Sequence, residues 1–229
     1  MLALEISKNH QQRIDSGFYS QFCRGKGLDY GFSGMNLSAE VTPALPNAVG
    51  IDLNTQGYDG KNIPYPAHYF DYVLCSHVLE HIEDYQYALR ELHRVTKVGG
   101  HIILMLPHAY LYDKSLVQFG AWDTCPEHFR LYTPARLLRE IEESLAPNTY
   151  RIRFMEDNDR GYDYAQKLYD HVDYNNDIFE IVLVLEKIKP PKWSIIGYGE
   201  RVEEIRVSWF VKRWRLFVYK LRRLKRKLL

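Results

Sequence analysis

The sequence predicts an α/β fold: a mostly parallel sheet with helices on both faces. Three observations predict it. Short apolar runs of strand length alternate with stretches of helical periodicity between residues 27 and 187. The most apolar run, His101-Ile102-Ile103-Leu104-Met105-Leu106, has no polar alternation, as expected of a strand covered on both sides. Glycine, acidic residues and histidine gather directly after the runs, where ligands bind in open α/β sheets.

Taken in order, Met1 to Phe22 reads as a helical lead-in without chemistry of its own. Gly27 to Gly31 is a short strand. Phe32 to Asn47 is a turn with at most a short helix, because Pro43 and Pro46 limit its length. Ala48 to Leu53 is the second strand, and Asn54 to His68 a loop rich in Gly, Asn and Pro. Phe70 to Cys75 is the third strand. Glu83 to Lys97 is a helix with Ala88, Leu92 and Val95 on one face, ended by Gly99-Gly100 as a C-cap. After the His101 strand, His108 to His128 is a long aromatic loop or lid. Thr133 caps a helix that starts at Pro134 and runs to about Leu145. Strands around Tyr150 to Met155 and Phe179 to Lys187 close the series.

Composition excludes several classes. Of 229 residues, 46% are hydrophobic and 26% charged, the balance of a folded domain. No apolar run approaches the length of a membrane span. Charge in Met1 to Arg13 argues against a signal peptide. Three scattered cysteines, Cys23, Cys75 and Cys125, fit a reducing cytoplasm and no zinc pattern. The net charge of +1 conceals ten basic and no acidic residues from Arg206 to the end, so the preceding body carries −9. That shift divides the chain near Pro190-Pro191 into a domain of residues 1–189 and a basic tail of 190–229.

The strand ends supply the candidate site. Asp29, Gly31, Ser33 and Gly34 follow the first strand, where glycine permits close backbone approach to a ligand. Asp52, with Leu53, ends the second, placed for an acidic hydrogen bond to ribose hydroxyls. Asp59-Gly60 lies in the next loop. Cys75, Ser76 and His77 end the third strand, and Pro107 and His108 the fourth. Together they outline a nucleoside pocket. Glu80 and His81 are read as organising the turn after the third strand. No third ligand stands at a usual metal spacing, so no metal is expected.

The block "DGKNIPYPAHYFDYVLCSHVLEHIEDYQYALRELHRVTKVGGHIILMLPH" resembles the class I S-adenosylmethionine-dependent methyltransferases of the type 11, small-molecule branch. "EHFRLYTPARLLREIEE" is similar to a later block of the same branch. The resemblance implies a Rossmann-like fold with S-adenosylmethionine as cofactor. Asp52 would hold the ribose, Asp59 and Gly60 would face the adenine, and Cys75, Ser76 and His77 would line the methionine end. The first motif departs from the family's Asp-x-Gly-x-Gly-x-Gly: in "DYGFSGM", Ser33 stands for the second glycine and Met35 for the third. This departure keeps a rival reading open, a catalytically silent methyltransferase-like subunit that scaffolds a membrane-associated enzyme complex.

A hydroxyl acceptor calls for a base, and His128 and His108 are the candidates. In the tail, Phe210, Trp214, Phe217, Leu221, Leu224 and Leu228 form a helical seam among lysines and arginines. An anionic membrane surface, a partner helix and nucleic acid are the competing partners, and the regular seam disfavours the last. The combined expectation is methyl transfer to a small-molecule or glycan acceptor, as in polysaccharide biosynthesis. Its place is cytoplasmic, at the inner face of a membrane. An RNA methyltransferase has only charge in its favour.

Overall fold

The structure, a computed structural model, describes residues 9–32, 41–112, 128–165 and 179–191. Ser33, Gly34, most of the lid and the basic tail lie outside the described residues.

Six strands form one sheet: β1 (Gly27–Tyr30), β2 (Ala48–Ile51), β3 (Phe70–Ser76), β4 (Thr96–Pro107), β5 (Tyr150–Asn158) and β6 (Glu180–Lys187). Their spatial order is β2-β1-β3-β4-β6-β5. The first four are parallel, and β6 runs antiparallel to both β4 and β5. The chain leaves β1 to one side for β2 and returns to the other side for β3, so the order reverses at β1. Register brings the carboxyl ends level there: Tyr30 pairs with both Ile51 and Cys75. Gly31, Asp52 and Ser76 therefore leave the sheet along one edge, at the topological switch point.

The strand period of two sorts the core into two faces. Val73 and Cys75, Ile102, Leu104 and Leu106, and Ile181, Leu183 and Leu185 belong to one cluster. The residues between them, Tyr72 and Leu74, Ile103 and Met105, and Val182 and Val184, belong to the other. The central strands are thus apolar on both sides, as their sequence predicts. Burying each such aliphatic side chain contributes about 1.5–3 kcal/mol.

Helices α3 (Tyr85–Val95) and α4 (Pro134–Ser144) cover the first face through Leu89, Leu92, Leu137 and Ile141. The lead-in forms two short helices, α1 (His10–Asp15) and α2 (Phe18–Phe22). Phe18 and Phe22 of α2 cover the second face and pack against Phe154 at ring distances of 5.5 and 6.0 Å. Both α3 and α4 have built N-caps: Asp84 accepts from Tyr87 N at 3.1 Å, and Thr133 from Arg136 N at 3.2 Å.

The end of α3 differs from the sequence expectation. Gly99-Gly100 does not cap the helix, which stops at Val95 and passes through an extended Thr96 directly into β4. The cap comes from the end of β6: Lys187 Nζ donates to His93 O at 2.6 Å and to Thr96 O at 2.8 Å. Gly100 instead allows a close approach, since a Cβ there would lie 2.6 Å from Asp71 O.

Candidate active site

A cavity of about 490 Å³ opens at the switch point, within the range of small-molecule and cofactor clefts. Tyr30 of β1 with Gly31 after it, and Ile51, Asp52 and Leu53 at the end of β2, form one side. Tyr58, Gly60 and Lys61 come from the loop after β2. The turn after β3 and the start of α3 supply His77, Val78, His81, Ile82 and Tyr87, and Phe129 closes the rim.

Local geometry explains these positions. Gly31 has φ +76°, and a Cβ on it would lie 2.2 Å from Val78 Cγ2. Only glycine lets the β1 turn close on the β3 turn. The turn after β2 is tied by Asp52: its N–H donates to Thr55 Oγ1 at 2.8 Å, and its Oδ1 accepts from Leu53 N at 2.7 Å. Tyr30 and Tyr58 join their hydroxyls at 2.8 Å across the pocket wall. His77 has φ +53°, a left-handed backbone uncommon for a non-glycine residue, which turns the chain sharply out of β3.

Of the residues read from sequence, Gly31, Asp52, Leu53, Gly60 and His77 line this cavity. Asp29, Asp59, Cys75 and Ser76 stand behind it. The Asp29 carboxylate, 3% exposed, accepts from Ala44 N at 2.6 Å on the far side of its strand. Burial is the main cause that pushes its pKa up to about 6, opposed by that hydrogen bond and aided by the Asp52 charge. Asp59 accepts from Lys61 N at 2.8 Å and from the Asn62 side chain at 2.6 Å, so it shapes the loop that presents Gly60. Those hydrogen bonds, led by the Asn62 side chain, hold its pKa down at about 2. Cys75 is fully buried, and burial pushes its thiol pKa well up.

The two candidate histidines part company. His108 Nδ1 accepts from Tyr110 N at 3.1 Å, while Nε2 lies 3.3 Å from Asp157 Oδ1. Both ring nitrogens are engaged by the loop and by β5, and the ring is outside the cavity lining. His128 instead packs its ring 4.7 Å from that of His81, on the cavity wall.

Sequence reasoning passed over the lead-in helices, and the structure places chemistry there. Arg13 forms a buried ion pair with Glu180 at the start of β6. Asn9 Nδ2 donates to the same carboxylate at 3.1 Å, and His77 Nε2 lies 3.5 Å from its other oxygen. Burial alone would raise the Glu180 pKa, but His77 and Arg13 together hold it below the usual range. A buried ion pair thus stands behind His77. Tyr58, Lys61 and Phe129 were also missed, because none belongs to a strand end.

The geometry has a counterpart in known proteins. Residues 18–145 match the methyltransferase domain family. The chain belongs to that family. Its class is the class I, S-adenosylmethionine-dependent methyltransferases of the type 11 kind, and S-adenosylmethionine is the cofactor. The residues present fit that molecule: an acidic side chain at the end of β2, a glycine turn beside it and a largely apolar cleft of suitable volume. Demethylmenaquinone methyltransferase of Streptomyces griseus is 31% identical over 103 residues, which cover 45% of this chain and 39% of that protein. Ajmaline N-methyltransferase of Rauvolfia serpentina is 33% identical over 85 residues, covering 35% and 29%. The chain thus spans about two fifths or less of the length of these curated relatives. Among solved structures, a complex of the Haloferax volcanii Trm112 methyltransferase activator with a methyltransferase matches with TM-score 0.52 at 11% identity, over 81% of this chain and 92% of that one. The [4+2]-cyclase SpnF matches with TM-score 0.50 at 17% identity, over 77% and 81%. These two likenesses concern the fold alone.

Proposed function

We propose that this methyltransferase moves the methyl group of S-adenosylmethionine to a hydroxyl of a small-molecule acceptor. The observation that carries the reading is the cleft at the switch point. It combines Asp52 beside the glycine turn on one side with the His77–His81 turn and Phe129 on the other. Asp52 holds the ribose. His77, fixed from behind by Glu180 and Arg13, borders the reacting end. His128, rather than His108, is the imidazole available to the acceptor, since it adjoins a cavity-lining ring. Methyl transfer from a sulfonium needs alignment and exclusion of water, and the apolar lining supports both.

The names of the two curated relatives support a small organic acceptor. The basic seam of residues 206–229 supports a site of action near an anionic membrane surface, where a glycan acceptor is one fitting class. No described helix is long and apolar enough to cross a membrane. Calorimetric titration with S-adenosylmethionine and S-adenosylhomocysteine tests the cofactor assignment. Asp52→Ala removes charge-assisted hydrogen bonds of about 1.5–3 kcal/mol, a tenfold to hundredfold loss of affinity. Unchanged binding removes Asp52 from the site, and no binding by the wild type favours the silent-scaffold reading.

A further inference from the structure

We propose that Glu80, His81 and His128 bind a divalent transition-metal cation that coordinates the acceptor hydroxyl. The inference rests on methyl transfer to a hydroxyl, and it adds a metal to that site.

Each of the three residues offers one ligand atom, and these atoms lie within 4.8 Å of one another. An ion bound at about 2.0–2.2 Å to nitrogen and oxygen holds its ligand atoms about 3–4 Å apart. Rotation of the two imidazoles, both only partly buried, closes the difference. Two imidazoles and one carboxylate suit zinc, manganese, cobalt or iron better than magnesium or calcium.

The backbone holds the set together across 47 residues of sequence. Phe129 N donates to Glu80 O at 3.0 Å. The Arg130 guanidinium donates to Ile82 O and Glu83 O and stacks 4.5 Å over Tyr85. His128 is therefore fastened against the turn that carries Glu80 and His81.

Electrostatics points the same way. The Glu80 side chain is 0% exposed, with His77 Nδ1 at 3.7 Å and His81 Nε2 at 4.0 Å. A carboxylate buried this deeply calls for positive charge close by. A cation held between Glu80, His81 and His128 places positive charge there. His81 lines the cavity and Phe129 follows His128 at its rim. Three protein ligands leave coordination positions open, as in catalytic rather than structural sites.

Coordination lowers the pKa of the acceptor hydroxyl. Its proton passes to solvent. The oxygen lone pair forms the new C–O bond to the methyl carbon, and the S–CH₃ bond breaks with its electron pair remaining on sulfur. The products are the methyl ether and S-adenosylhomocysteine. No oxidant or reductant is required.

The test uses the full-length chain, stripped with chelator and titrated with Mn²⁺ by calorimetry and electron paramagnetic resonance. S-adenosylhomocysteine binding and thermal unfolding are followed in parallel. Wild type is expected to bind one Mn²⁺ per chain. His128→Ala and, separately, His81→Ala are expected to weaken Mn²⁺ at least about tenfold, while His128→Ala, whose side chain is outside the cavity lining, keeps S-adenosylhomocysteine binding within about twofold. Both residues are partly exposed, so these variants avoid the core. A wild type that binds S-adenosylhomocysteine but no Mn²⁺, or variants that bind Mn²⁺ as tightly as wild type, overturns the metal site and leaves the methyltransferase reading intact. Failure to bind S-adenosylhomocysteine strikes that reading instead. Mn²⁺ binding lost in His128→Ala then still marks the cation site.

Discussion

Asp29→Asn tests the electrostatics of the glycine turn. The Asp29 carboxyl is 3% exposed and titrates near pH 6 in the folded chain, against 3.8 when unfolded. Its folded pKa is raised, so the folded state binds the extra proton between those values. Its contribution to stability is fully present below about pH 4 and is lost as pH rises through 6. A shift of about two pH units at about 1.4 kcal/mol each makes the loss at most about 3 kcal/mol at pH 7.5. Asparagine keeps an oxygen to accept from Ala44 N and carries no charge. Urea unfolding followed at pH 4.5 and 7.5 should show wild type losing stability across that interval relative to the variant. At pH 7.5 the variant should be the more stable, by up to about 3 kcal/mol. Equal pH slopes, or a variant weaker than wild type at pH 7.5, would refute the reasoning. Either result would mean that the carboxylate is better compensated than its burial implies.

Three other outcomes are expected. Lys187→Met leaves His93 O of α3 and Thr96 O at the start of β4 without their donor and should cost about 1–3 kcal/mol in urea unfolding; an unchanged midpoint would show that water replaces the lysine. Gly31→Ala combines φ +76° with a contact to Val78 and should cost about 2–4 kcal/mol, partly recovered by a second change, Val78→Ala. Truncation before Arg206 should abolish flotation of the chain with anionic vesicles, since each basic residue near such a surface contributes about 1 kcal/mol. A full-length chain that does not float, or a truncated one that floats equally well, ends the membrane reading.

The sheet was legible because its chemistry is local. Buried strands of four to eight apolar residues, a Thr-Pro helix start and an acidic residue after β2 all act within a few positions, and each stands where the pattern indicates. What escaped notice acts across long separations. Gly99-Gly100 carries a C-cap signature, yet Lys187 does the capping and the glycine serves an approach to Asp71. Arg13 belongs to the lead-in read as without chemistry of its own, but its partner is 167 residues away. His81 and His128 show no recognised ligand spacing, because a turn and a distant loop meet only in the folded sheet. The glycine motif raises the same issue in reverse: Gly31 and Asp52 border the cleft, whereas Asp29 and Asp59 shape it from behind.

The strand order has a consequence for biosynthesis. β6 lies between β4 and β5, although it is the last of the six to leave the ribosome. Until residues 180–187 emerge, the long apolar edge of β4 lacks its neighbour, and β5, whose ladder is made with β6, has nothing to pair with. The Arg13–Glu180 pair, which joins the first described helix to that strand, waits on the same residues. A nascent chain of some 179 residues therefore presents an open hydrophobic sheet margin, the kind of surface that invites aggregation and chaperone binding. The last strand acts as a keystone: translation of eight residues joins β4 to β5 and completes the wall behind His77.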